Sequence, residues 1–145
     1  MIRRATTEDL DLLVPLFDAY RQFYGRPADP QGSRLFLRNR MESNESVIFV
    51  AFEDSTAIGF AQLYPLFSSA ALARTFILND LFVSPEARRG GTGTALLRAS
   101  VDYGRSVGAY RLTLSTELSN TVAQSVYEKN GWVRDAWFCV YHHLL

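Results

Sequence analysis

Leu10, Leu13, Phe17, Tyr20 and Tyr24 recur at spacings of three and four and stop at Gly25, which predicts one amphipathic helix. Thr6 or Thr7 can cap it, and Glu8 and Asp9 place negative charge in its first turn, where the helix dipole favours it. Positions 2–5 before it read as a short strand. Arg26-Pro27-Ala28-Asp29-Pro30 breaks the periodicity, and Leu35, Phe36 and Met41 predict a second helix over about 31–41, with the loop between as a candidate pocket mouth. The period then changes. Positions 46–52 and 57–64 are β-branched and aromatic around the turn-forming Glu53-Asp54-Ser55-Thr56, the pattern of a hairpin. A loop is expected over 65–74, then a strand over 75–83 interrupted by Asn79 and Asp80. Ala95, Leu96, Ala99 and Tyr103 predict a helix over 93–107 that stops near Gly108. A strand over 111–115, a helix over 121–130 ending at Gly131, and one or two strands over 132–144 complete the order, an α+β sheet layered with helices.

The chain of 145 residues fits one domain, 1–145, with 48% hydrophobic and 21% charged residues. No apolar run reaches the roughly 18 residues that span a bilayer, and the N-terminal stretch has no export-signal pattern, so a cytoplasmic protein without a membrane partner is expected. A single cysteine, Cys139, permits no internal disulfide and fits a reducing compartment. His142 and His143 have no acidic or cysteine partner in sequence and are read as structural, with no metal assigned. Zero formal net charge argues against a nucleic-acid partner, which usually shows as a clustered basic surplus.

The chemistry concentrates in Arg88-Arg89-Gly90-Gly91-Thr92-Gly93, between an apolar strand and a helix. Glycine in a helix costs about 1 kcal/mol relative to alanine, so three together at a helix start call for a reason. A glycine-rich turn opening a helix gathers amide N–H groups and the positive dipole end, a ready phosphate cradle. A triphosphate-binding loop needs a lysine beside its last glycine, and the only lysine is Lys129; a dinucleotide fingerprint needs glycine where Leu96 stands. Both readings fail.

The turn resembles the R/Q-x-x-G-x-G/A motif of the GNAT superfamily of N-acetyltransferases, with Arg88, Gly91 and Gly93 at its fixed positions. Asn120-Thr121-Val122-Ala123-Gln124-Ser125-Val126-Tyr127-Glu128-Lys129-Asn130-Gly131-Trp132 is similar to that family's N-x-x-A-x-x-x-Y-x-x-x-G-F/W segment at every fixed position, and the element order agrees over nearly the whole chain. The resemblance implies a GNAT fold, a mostly antiparallel twisted sheet of six to seven strands with about four flanking helices. It implies acetyl-CoA as co-substrate and no metal. Leu81, Phe82 and Val83 would lie along the pantetheine and thioester, with an amide near Leu81 or Phe82 facing the attacked carbonyl. Arg88, Arg89, Gly90, Gly91, Thr92, Gly93 and Thr94 would hold the pyrophosphate. Asn120 would contact the coenzyme or cap the last helix, and Tyr127 would protonate the departing thiolate.

Asp80, a carboxylate at mid-strand beside the expected thioester, reads either as the base that takes the amine's proton or as an anchor for a cationic substrate. The stretch around Asn79 and Asp80 resembles the polyamine and diamine acetyltransferases and related histone-or-polyamine enzymes, which carry two acids where this chain has Asn79 first. Tyr20, Tyr24 and Tyr64, with Phe23, form either an aromatic wall for an amine through cation–π contact or part of the core. A small primary amine is the expected acceptor, with a protein N-terminus or lysine, or coenzyme binding without turnover, as alternatives. A homodimer is expected, its apolar segment 136–141 serving as an interface or a core edge.

Overall fold

The switch from helical to alternating periodicity near Ser46 becomes a change of layer. A computed structural model describes residues Met1 to Leu145 in two compact units, Met1–Ser115 and Thr116–Leu145. The first unit holds five strands: β1 (Ile2–Arg4), β2 (Val47–Glu53), β3 (Thr56–Ser68), β4 (Ala73–Val83) and β5 (Arg111–Thr113), in that spatial order. Neighbours pair antiparallel up to β4; β5 joins β4 in parallel, after the crossover helix α3 (Thr92–Ser106). Helices α1 (Leu10–Phe23) and α2 (Pro30–Glu42) precede β2.

Both faces of the sheet are covered. Ile48, Val50 and Phe52 of β2 join Leu10, Leu13 and Phe17 of α1 and Leu37 of α2 in one core, while Phe49, alternating to the other face, packs its ring 5.8 Å from Tyr103 of α3. Hence the first six residues of β2 are all buried, as the unbroken apolar run Val47–Phe52 indicates. Full burial of a side chain such as Val50 or Phe60 stabilises by about 1.5–3 kcal/mol.

Two expectations change. The loop expected over 65–74 is instead the distal half of a long hairpin, since Pro65 pairs with Phe76 and Ser68 with Ala73. Pairing between β2 and β3 ends at Val47 and Leu63, so β3 is an edge strand at Pro65, where a missing N–H is tolerated. The six to seven strands are five, because residues 132–145 form no strand. An extended segment needs a partner ladder to become a strand, and here the amides of Trp137 and Phe138 donate instead to Asp135 Oδ1, at 2.8 and 3.2 Å, turning the chain.

In the second unit, α4 (Thr121–Lys129) starts at Asn120, whose side chain accepts the Ala123 amide at 3.2 Å, so Asn120 is a helix cap. The Trp132 amide donates to the Tyr127 carbonyl at 3.1 Å, and the two rings lie 6.4 Å apart.

Two buried aspartates fasten the first unit. Asp18 of α1 accepts the Asp29 amide at 2.9 Å, Ser33 Oγ at 3.1 Å and Arg21 at 3.0 Å, which holds its carboxyl below the usual range and ties the loop Tyr24–Asp29 down between two helices. Asp9 accepts both guanidinium nitrogens of Arg3, at 2.8 and 2.6 Å, and the Thr6 amide at 2.8 Å, closing the start of α1 onto β1.

The Arg3 hydrogen bonds are the main cause that lowers Asp9 from 3.8 to about 2. A lowered folded-state value means that the ionised carboxylate favours the fold: the contribution is complete above the unfolded value and disappears as pH falls through the folded one. Asp9→Asn is therefore expected to cost about 1 kcal/mol at neutral pH, the scale of a lost helix-start contact, and the Tm gap to the parent protein should close between about pH 4 and pH 2. A gap constant across that window in thermal melts contradicts the assignment.

Candidate active site

Gln62 of β3 pairs with Asp80 of β4, but the next residue, Leu63, pairs with Leu78. Asn79 is therefore an extra residue, a β-bulge at the centre of the strand. Its side chain is exposed, and its Nδ2 donates to Asp80 Oδ1 at 2.9 Å. Asp80 itself is only 2% exposed. Gln62, fully buried, donates from Nε2 to Asp80 Oδ2 at 2.5 Å, and Ser46 Oγ donates to Gln62 Oε1 at 2.7 Å. No buried side-chain polar atom in the chain lacks a hydrogen-bond partner, which is what makes a carboxylate tolerable at this depth.

Two phenols face this charge. Tyr20 packs against Phe60 and Phe82, at 5.9 and 6.3 Å between ring centres, and brings its hydroxyl 3.5 Å from the Asn79 carbonyl. Burial first, then the charge of Asp80, raises both Tyr20 and Tyr64, so each phenol keeps its proton beside the carboxylate. Tyr24, exposed, lies edge-on to Tyr20 at 5.0 Å. The aromatic stripe thus runs from core at Phe17 to a wet rim at Tyr24.

Downstream of the bulge, β4 loses one neighbour. It pairs with β5 only from Thr75 to Ile77, so between Leu78 and Val83 the edge facing β5 carries unpaired backbone groups. On its other side β3 comes very close: a Cβ at Gly59 would stand 2.7 Å from the Phe82 carbonyl oxygen. Leu81, Phe82 and Val83 are consequently held from one side and open on the other.

The strand runs into Pro85–Ala87, a single 3-10 turn, and then into Arg88-Arg89-Gly90-Gly91. Gly91 is the residue preceding α3 and has φ +80°, a conformation that costs other residues about 1 kcal/mol or more. No side chain caps this helix start. Its first intrahelical bond is donated by Ala95 to the Gly91 carbonyl, which leaves the amides of Thr92, Gly93 and Thr94 as the orphan donors of the first turn. A side chain built at Gly91 or at Gly93 would meet nothing within 4 Å. Open space over uncapped amides at the positive end of a helix suits a pyrophosphate. Arg88 serves the turn itself. Its Nε donates to the Val83 carbonyl at 3.0 Å, with the guanidinium 5.8 Å from the Phe23 ring and 5.9 Å from the Phe82 ring, pinning the turn to the end of β4.

Asp80, Asn79, Tyr20, Tyr24 and Tyr64 therefore gather at the bulge, and Arg88 to Thr94 form the glycine turn. Asn120 and Tyr127 belong to the second unit, on α4. Ser46, Gln62 and Gly59 are additions that the sequence pattern did not single out. A glutamine inside the apolar run Ala57–Leu63 was the available signal for Gln62, since a buried polar group needs partners. No group of three His, Cys, Asp or Glu side chains is arranged to hold a metal ion.

The sequence pattern of the acetyltransferase (GNAT) family matches residues 13–132. The chain belongs to that family. It is 50% identical over 140 residues, covering 97% of this chain and 94% of the relative, to a Bacillus subtilis (strain 168) protein described as the uncharacterized N-acetyltransferase YhfO. A probable acetyltransferase of Haemophilus influenzae is 38% identical over 125 residues, covering 86% of this chain and 82% of that protein. The crystal structure of a probable acetyltransferase superposes with a TM-score of 0.95 at 45% identity, covering 100% of this chain and 97% of that one. The protein is an acetyltransferase of a family that uses acetyl-CoA.

In this GNAT protein Gly93 offers the cleaner probe of the cradle, because unlike Gly91 it has ordinary backbone angles and room for a side chain. An acid in a helix's first turn does not harm the helix, so Gly93→Glu is expected to fold with an unchanged or raised Tm. The Tm rise that acetyl-CoA gives the parent protein by mass action is expected to be lost in the variant. A full ligand-induced shift in Gly93→Glu would remove the turn from coenzyme binding.

Proposed function

We propose that this acetyltransferase carries the acetyl group of acetyl-CoA to a small primary amine of the diamine or polyamine kind, by direct attack within a ternary complex. The supporting observation is the Asp80 carboxylate, buried at the bulge, held by Gln62 and Asn79, and faced by the phenols of Tyr20 and Tyr64. A negative charge behind an aromatic rim favours a cationic, methylene-bearing acceptor, which the rings of Tyr20 and Tyr24 contact through cation–π and apolar surfaces.

The reaction joins the amine nitrogen to the acetyl carbon and breaks the bond from that carbon to sulfur. The backbone near Leu81 and Phe82, open on one edge, donates to the carbonyl oxygen as charge develops there. Asp80 receives the proton that the nitrogen gives up. Because Asp80 is buried, that proton passes along the Tyr20 hydroxyl or a water beside Asn79. Tyr127, at the family's tyrosine position, supplies a proton to the sulfur. Thr92, Gly93 and Thr94 hold the pyrophosphate through their amides, and Arg89 adds charge to it.

Two variants separate acid from base. Tyr127→Phe should lower kcat by roughly 10- to 1000-fold with little change in acetyl-CoA affinity, in line with the usual contribution of a general acid. Asp80→Asn should raise the acceptor KM and give a rate that recovers as pH rises and more of the amine is neutral. An unchanged kcat in Tyr127→Phe, where chemistry limits turnover, takes that tyrosine out of the mechanism.

We also propose that two copies associate through the apolar stretch 136–141. Trp137, Phe138, Val140 and Tyr141 are 91%, 83%, 77% and 89% exposed, and clustered exposed apolar side chains favour association. Light scattering should give about twice the 16.4 kDa chain mass at micromolar concentration; the single-chain mass would rule the association out.

A further inference from the structure

Beneath the reacting groups lies a chain of three side chains with little access to water: Ser46 (7% exposed), Gln62 (0%) and Asp80 (2%). Their hydrogen bonds have a fixed sense. An ionised carboxylate only accepts, so the amide of Gln62 must present Nε2 to Asp80. Its Oε1 then faces Ser46, whose hydroxyl must donate. Asp80 in the role of base, however, has to exist in two forms. A proton received on the Asn79 side, at Oδ1, is exchanged with Oδ2 when the carboxyl turns, and whenever it stands on Oδ2 its O–H needs an acceptor and the Nε2 of Gln62 is the wrong partner.

We infer that Gln62 and Ser46 are positioning residues that keep Asp80 hydrogen-bonded in both protonation states, through a half-turn of the Gln62 amide. In the turned state Oε1 accepts from the protonated carboxyl, Nε2 donates to Ser46 Oγ, and the Ser46 hydroxyl rotates from donor to acceptor. Both side chains carry donor and acceptor capacity, which the exchange requires. Asn79, at the exposed bulge, can trade its hydrogen bond for one to water; Gln62 and Ser46 cannot, so the adjustment has to be internal. The other titratable or charged groups facing this pocket are Tyr20 and Tyr24 of α1, Tyr64 of β3 and Arg40 of α2, whose charge acts on Tyr64. The two raised phenols keep their protons. During turnover the neutral amine forms the new bond to carbon with its lone pair, the electron pair of the N–H bond that then breaks stays on nitrogen, and the proton rests on Asp80 until it returns to solvent after product leaves.

This inference rests on the reading of Asp80 as base, and the test keeps the two apart. Gln62→Met, similar in volume and without polar hydrogens, is expected to lower kcat roughly 10-fold, leave the acceptor KM near its native value and move the acid limb of kcat/KM to higher pH, because the ionised form loses its donor. Ser46→Ala should shift both quantities in the same direction by less, and Ser46→Thr, which keeps the hydroxyl, should restore them. In the parent protein the side-chain amide resonances of Gln62 should move over the pH range in which kcat/KM rises. A purely structural role predicts a lower Tm with a native pH profile in the folded fraction. If Asp80→Asn keeps a native profile, the base reading falls and takes this one with it. If Asp80→Asn alters the profile but Gln62→Met and Ser46→Ala do not, or the Gln62 resonances stay fixed across that range, only the amide turn is overturned.

Discussion

Phe76 and Phe82 lie six residues apart on β4, an even separation that in a regular strand directs both rings to one face. Phe76 nevertheless packs 5.6 Å from Tyr103 of α3, and Phe82 packs 6.3 Å from Tyr20 of α1, on opposite sides of the sheet. The extra residue at Asn79 accounts for the reversal. Were the strand regular through Asn79, with no bulge, Asp80 would follow Phe76 toward α3, on the face away from Tyr20 and the side chain of Gln62. The bulge lies just past Ile77, where pairing of β4 with β5 ends, so the carboxylate and the unpaired edge of β4 stand beside one another.

A charge brought to that depth is a liability unless every lone pair is engaged. Here the cost is distributed over Gln62, Asn79 and Tyr20, and Gln62 in turn is held by Ser46. The network occupies the α1 face, between Phe60 and the rim tyrosines, so it replaces apolar contacts that would have extended the core. Such a trade of packing for polarity, satisfied at each atom, sets this network apart from an ion pair that fastens the fold. The contrast with Asp9 and Asp18 is instructive: each of those accepts backbone amides and an arginine, and each secures a chain segment. Asp80 accepts from no arginine and no backbone amide among its hydrogen bonds.

What the sequence disclosed follows from range. Helix limits came within two residues, apart from the start of α1, because caps and breakers act locally: Gly25 stands just past α1, Asp29 and Pro30 open α2, and Gly108 stands just past α3, whereas Thr6 caps a 3-10 turn, Thr7–Asp9, and α1 begins only at Leu10. The glycine turn was legible because its chemistry is contained in six consecutive letters. The bulge was not, because Phe76, Leu78, Asp80 and Phe82 are all buried and preserve an apparent alternation that conceals a change of face. Gln62 and Ser46 were missed because their meaning lies in partners 18 and 16 residues away. The end of the chain shows the opposite error. Residues 132–144 have the composition of a strand, yet composition cannot supply the neighbouring ladder that a strand requires.

The choice of cations fits the same chemistry. Of fifteen basic residues only Lys129 is lysine, and the arginines are used largely on rings and carboxylates: Arg3 over Phe52, Arg4 over Tyr103, Arg40 over Phe36, Arg74 over Phe67 and Arg88 beside Phe23 and Phe82. A guanidinium stacks where an ammonium would stay solvated, and it does not lose its proton near neutral pH. An acetyltransferase acts on amines that do lose theirs. Arg88 can thus sit at the end of β4, between two rings and hydrogen-bonded to the Val83 carbonyl, without offering the enzyme a competing nucleophile. It fixes the glycine turn to the end of β4 with a cation that does not compete with an incoming amine.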